Sequence, residues 1–151
     1  MLYTRFDNNP FRQWSELIED LQILYKGSKF KQGNLAAIPL ALCYLEALGK
    51  IYFYKQDTVM LGPTSVFCKT LKLFGIRKVD AQKIYDFRSE IVHAGPDLKT
   101  IVIVDKKTGV STEIDIEWYI KTLGQLLNLI RERKGGWTMI QLAQAIGSRK
   151  E

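Results

Sequence analysis

The sequence predicts a mainly α-helical protein: a bundle of four to five helices with one β-hairpin inserted at about residues 100–116 and a short C-terminal helix. Two observations carry this. In stretch after stretch, apolar residues recur at helical spacing and stop at glycine or proline. After Pro96 the period changes to two on either side of a glycine turn, which is the pattern of paired strands.

The first helix opens on Asn9-Pro10, a cap followed by a proline at the first helical position. Trp14, Leu17, Ile18, Leu21, Leu24 and Tyr25 then keep one face apolar as far as Gly27. Residues 27–34, GSKFKQGN, are short, polar and basic, a loop within a domain and not a boundary. From Asn34 to about Tyr54 apolar residues run nearly all round the helix, as they do in a buried central one, with Pro39 confined to its first turn or kinking it. A loop around Gln56–Pro63 leads to a shorter helix, Thr64–Phe74, closed by Gly75. Val66, Phe67, Leu71 and Phe74 are placed inward there, with Lys69 and Lys72 outside. Ile76–Val79 connect to a helix with Asp80 as its N-cap, and Gly95 and Pro96 stop it.

The hairpin joins the β-branched run Thr100–Asp105 to Val110, Thr112, Ile114 and Ile116, which alternate with Ser111, Glu113 and Asp115. Asp105-Lys106-Lys107-Thr108-Gly109 is the turn, with glycine where a left-handed residue is usual. Glu117–Lys134 is an amphipathic helix with Trp118, Leu123, Leu126, Leu127 and Ile130 inward, ended by Gly135-Gly136. In the tail, residues 136–151, the string from Thr138 to Gly147 resembles the first half of a DNA-binding helix-turn-helix. A recognition helix would have to follow, and only Ser148 to Glu151 do. The expectation is therefore a short helix docking Trp137, Ile140, Leu142 and Ile146 on the core or on a second subunit.

The 151 residues suit a single domain, residues 1–151, and suffice for a real core. With 46% apolar and 25% charged residues the chain reads as globular. The longest apolar run, Leu35 to Leu48, is shorter than the roughly 20 residues of a membrane span and contains Glu46, so no membrane partner is expected. The N-terminus has neither the basic start nor the apolar core of a signal peptide. Cys43 and Cys68 lie in apolar contexts without CxxC spacing or a paired histidine. Two buried free thiols in a reducing cytoplasm are expected, with no disulfide, metal or cofactor. A net charge of +6 favours an acidic partner and permits RNA; a solvated surface carries such a charge equally well.

The stretch Asp80–Pro96 holds the candidate chemistry. At about 100° per residue Arg88 falls within the apolar arc of its helix, between Ile84 and Val92. Ser89 and His93, the chain's one histidine, stand one above the other on the neighbouring face. Two readings fit. Arg88 snorkels or pairs with an acid while His93 is a cation in a last helical turn; or His93 moves a proton near neutrality while Arg88 grips a phosphate. Five helical residues separate the two by roughly 140° and about 7.5 Å along the axis, so they do not close easily on one phosphate. A homodimer with this helix packed on its own copy would bring two such pairs into one cleft. Glu46, the only charge between Leu35 and Leu48, wants a cation if it is buried. Arg88 is one candidate partner, and an edge reaching solvent is the alternative. Arg77 and Lys78, cations at a helix start, are open to either a phosphate contact or ordinary solvation.

Arg88-Ser89-Glu90-Ile91-Val92-His93 resembles the R-x4-6-H motif of the HEPN superfamily, small all-helical domains that dimerise and are often metal-independent ribonucleases. The polar residue after the arginine, the aromatic before the motif and the Ala-Gly after it are similar to that family too. The resemblance implies an endoribonuclease in which the RNA 2′-hydroxyl attacks its own adjacent phosphate. His93 would be the general acid or base, Arg88 the phosphate holder, and Ser89 would orient His93 or bond a phosphate oxygen. Its partners would be RNA, a second copy and an antitoxin or inhibitor protein, in a toxin–antitoxin or antiviral defence setting. A non-catalytic dimer that binds RNA, a nucleotide or a protein fits the same residues. The toxin branch that pairs with a minimal nucleotidyltransferase carries a tyrosine two residues after the histidine. Here that residue is Gly95, so control by modifying the tyrosine does not carry over.

Overall fold

The computed structural model describes residues 10–27, 37–54, 63–94 and 101–134; for 63, 88–94, 101 and 134 it is the backbone that is described. The order is α1 (Pro10–Lys26), α2 (Ala37–Phe53), α3 (Pro63–Leu73), α4 (Lys78–Ala94), β1 (Ile101–Val104), β2 (Ser111–Ile114) and α5 (Ile116–Lys134). The protein is mainly α, a helical bundle with one antiparallel hairpin. The expected loops at 28–34 and 56–62, the Gly95-Pro96 stop and the tail 136–151 lie outside the described residues.

α2 holds the centre. It packs against α1, α3, α4 and α5, and Leu42, Leu45, Leu48 and Ile51 are wholly buried. Each such aliphatic side chain contributes about 1.5–3 kcal/mol relative to exposure. Pro39 lies in the first turn, where its missing N–H costs nothing. One side of α2 nevertheless faces out: Leu40 and Cys43 are exposed, so the expectation of two buried thiols is wrong for Cys43, and Cys68 is half-buried. In α1, Ile18 and Leu21 reach the core, Trp14, Leu24 and Tyr25 flank it, and Leu17 is 40% exposed at the edge of the stripe.

α2 and α3 meet closely where Gly49 faces Thr70. A Cβ on Gly49 would overlap Thr70 Oγ1 and stand 3.2 Å from its Cβ. Thr70 has little freedom to yield, because it is fully buried and its hydroxyl donates to the Val66 carbonyl at 2.7 Å.

α3 ends in a Schellman motif. Ile76 N–H reaches the Leu71 carbonyl at 3.2 Å and Gly75 N–H the Lys72 carbonyl at 3.1 Å, with Gly75 at φ +84°. The next helix begins at once. Asp80 is not its N-cap: α4 starts at Lys78, and the Arg77 carbonyl accepts the first helical bond from Ala81 N–H at 2.8 Å. Asp80 sits instead in the first turn, where a carboxylate is favourable, and accepts from Arg77 Nε at 3.0 Å. Arg77 is thus tied to an acid, while Lys78 is exposed.

The hairpin pairs Ile101 with Ile114 through Val104 with Ser111. Its turn is closed by Asp105 N–H to the Val110 carbonyl (2.9 Å) and by Lys107 N–H to Asp105 Oδ1 (2.9 Å), with Gly109 at φ +71°. Of the alternating set, Ile114 is buried, whereas Val110 and Thr112 are exposed and Ile116 already belongs to α5. The hairpin is anchored at its base and stands away from the bundle towards its tip. Asp115 is the N-cap of α5, its Oδ1 accepting from Trp118 N–H at 2.9 Å. Along α5, Leu123, Leu126, Leu127 and Ile130 are buried as expected, with Tyr119 and Thr122 beside them.

Tyr119 carries the one buried side-chain polar atom without a hydrogen-bond partner among the described residues. Burial, reinforced by Asp115, pushes its phenol well above the usual tyrosine range, so it stays neutral.

Gly49→Ala gains about 1 kcal/mol of helix propensity against an overpacking cost of about 1–3 kcal/mol. A net loss of stability is therefore expected in denaturant unfolding, shrinking in a Thr70→Ala background. Removing the unpartnered hydroxyl with Tyr119→Phe should stabilise by about 1 kcal/mol. Because the folded state resists ionising Tyr119, its contribution is intact below the unfolded pKa near 10.0 and is lost as pH rises beyond it. The advantage of the Phe variant should consequently widen above pH 10, and a constant gap would show that the phenol is solvated.

Candidate functional site

The candidate residues occupy the last two turns of α4, an unbroken helix from Lys78 to Ala94. Its inner face is set by Ala81 and Ile84, both fully buried, and by Asp80. Arg88 comes one turn after Ile84, displaced by about 40° around the axis, so its backbone lies on the core-facing side. His93 lies about 180° from Ile84. Seven residues separate it from Asp86, which places it on the stripe that runs through Gln82, Asp86 and Ser89. The first two of these have exposed side chains joined by a Gln82 Nε2 to Asp86 Oδ1 bond of 3.1 Å. Ser89 and His93 therefore share the outer stripe, with Arg88 across the helix from His93. The backbone brings the serine and histidine together and does not bring the arginine to them within one subunit.

α2 and α4 are in contact, so the two elements that carry Glu46 and Arg88 are neighbours. Glu46 is largely buried, its side chain 12% exposed, and Lys50 Nζ stands 4.0 Å from its Oε1. A cation one turn along the same helix is therefore close to it. The i,i+4 spacing of Glu46 and Lys50 is the sequence signal for this pair. Arg133 of α5 stacks on Tyr52 at 4.5 Å from the ring centre, a second cation settled against the α2 end that Lys50 shares.

Among the described residues no group of three or more His, Cys, Asp or Glu could hold a metal, and no helix is long and apolar enough to cross a membrane. Burial raises the Cys68 thiol; Lys78 opposes and Asp86 adds to the shift, so the group remains a thiol and a poor nucleophile.

At the opposite end of α4 an open groove of about 770 Å³ separates the hairpin from the α3–α4 corner. Phe74, Ile76, Ile103 and Trp118 supply apolar surface, and Arg77, Lys106 and Lys107 supply charge. From Arg77 to His93 is about 24 Å along the helix, so this groove is not part of the motif.

Comparison of the chain with family models, with curated proteins and with solved structures finds no match in any of the three.

Coupling between Glu46 and Arg88 is measurable as a double-mutant cycle of Glu46→Gln and Arg88→Gln. A coupling above about 0.5 kcal/mol is expected if the two share a hydrogen bond across α2 and α4. Strictly additive losses would leave Lys50 as the relevant cation and remove Glu46 from the site.

Proposed function

We propose that the protein is a HEPN-like, metal-independent endoribonuclease whose active site is completed by a second copy of the chain. The observation that carries this reading is the unbroken α4: Ser89 and His93 share one stripe while Arg88 lies across the axis. An isologous pair of such helices supplies the missing arginine from the other subunit. The mainly helical bundle and the net charge of +6 also support it.

The chemistry divides between two protons and one negative charge. The 2′-oxygen of RNA attacks the adjacent phosphorus as its proton leaves to the neutral imidazole of one of the two His93 copies. The bond to the 5′-oxygen breaks, and an imidazolium at His93 gives that oxygen a proton. The products are a 2′,3′-cyclic phosphate and a 5′-hydroxyl. The ordinary pKa of an imidazole suits such transfer near neutrality, and Arg88 neutralises the charge building on the equatorial oxygens. Ser89, one turn before His93, orients the ring or bonds a phosphate oxygen. Glu46 supports Arg88 from α2. A cytoplasmic RNA-cutting enzyme of this kind needs restraint, which an antitoxin or inhibitor protein seated on the cleft would provide.

His93→Ala and Arg88→Ala should each lower RNA cleavage by about a hundredfold or more, with circular dichroism unchanged and activity retained in EDTA. DNA should resist because it has no attacking hydroxyl. Wild-type cleavage by both variants would dismiss the site, and a requirement for magnesium would dismiss the mechanism. RNA binding without strand scission would establish the non-catalytic alternative.

A further inference from the structure

β1 presents an unguarded sheet edge. The two-stranded sheet leaves its outer side unpaired among the described elements. The strand is Ile-Val-Ile-Val, without the charge, proline or bulge that natural edges use against association. Its partner β2 carries Glu113. Val102 and Val104 are 53% and 50% exposed, an unusual state for consecutive same-face valines.

The ladder fixes which backbone groups point outward. Asp105 N–H donates to the Val110 carbonyl, so that pair is hydrogen-bonded. Antiparallel pairs alternate, which makes Ile103–Thr112 and Ile101–Ile114 hydrogen-bonded and turns the N–H and C=O of Val102 and Val104 to the open edge.

We propose that this edge pairs with the same edge of a second copy, antiparallel about a two-fold axis at Ile103, giving a continuous four-stranded sheet. In that register Val102 of each chain exchanges two hydrogen bonds with Val104 of the other, so every outward backbone group of both residues is satisfied. The half-exposed valines of the two chains then cover one another on one face, and the two Ile103 residues stand opposite each other on the other. Three considerations favour a copy of the chain over a foreign peptide. The pattern is its own complement under two-fold symmetry. A second β1 is already extended by its hairpin and loses less entropy on pairing than a free peptide. A chain of net charge +6 repels itself except across an uncharged stretch, and β1 is one. The pairing uses neither Arg88 nor His93 and does not rest on the ribonuclease reading.

The test is cross-linking with sedimentation on the full chain. In a Cys43→Ser, Cys68→Ser background, Ile103→Cys should oxidise to a covalent dimer, because directly opposed residues of a non-hydrogen-bonded pair lie within disulfide range. Val102→Cys, offset from its own copy, should cross-link far less. Val104→Pro removes an outward N–H that the hairpin does not use, and should weaken association about tenfold or more. The Val102 and Val104 amides should exchange slowly, and more slowly at higher protein concentration. A wild-type chain that sediments as a monomer overturns the proposal. So does a dimer in which Ile103→Cys fails to cross-link, even if Val104→Pro proves unable to fold.

Discussion

The need to bury α2 determines where everything else goes. Its Leu42, Leu45, Leu48 and Ile51 have no exposed surface, and no single partner helix could cover positions spread so widely around the axis. Four helices share the task, α5 and α3 most extensively. The contact with α3 is admitted by the absence of a side chain at Gly49, which lets the backbone approach Thr70. With α3 fixed, the Schellman turn at Gly75 and the two-residue link Ile76–Arg77 leave α4 little choice of direction. The candidate motif is carried at the far end of a helix aimed by this packing.

What could be read in advance follows from which signals are local. Gly75 and Gly109 both sit at positive φ, and both marked their turns in the sequence because few other residues adopt that conformation. The inward positions of α3 and α5 were legible because polar residues mark their outer faces. Cys43 was not, since the outward stripe of α2 includes Leu40 and offers no polar contrast. Asp80 was misplaced for a different reason: a cation at a helix start argues against the helix beginning there, unless its charge is answered. Arg77 is answered by Asp80 itself, three residues on, so the helix begins earlier. Asp115, assigned to a strand by alternation, caps a helix by its carboxylate. A period-two pattern cannot report where a strand gives way to a cap.

Spacing alone places Arg88 and His93 more than a third of a turn apart, and the continuous helix keeps them there. The serine is the residue that accompanies the histidine. Joint action by all three, as proposed above, would turn on assembly, while Glu46, largely buried, belongs to a helix that contacts α4.

The hairpin bears on the same question from an independent direction. A two-stranded sheet is marginal in water unless it packs on something, and here one face does so through Ile114 and, in part, Ile103, while Val102, Val104 and Val110 are half exposed or more. Those valines cost solubility without contributing to this chain's own core. A fold that keeps apolar, β-branched residues on an unpaired edge gains stability from them only when another strand arrives. An outward backbone pattern that is self-complementary about Ile103 makes the chain its own best-matched strand. The proposed assembly thus has two separate motives, a helix whose candidate residues diverge and a strand whose bonding groups are left open. The two share no residue, and the groove that Ile103 lines lies at the end of α4 away from His93, so each proposal stands or falls by itself.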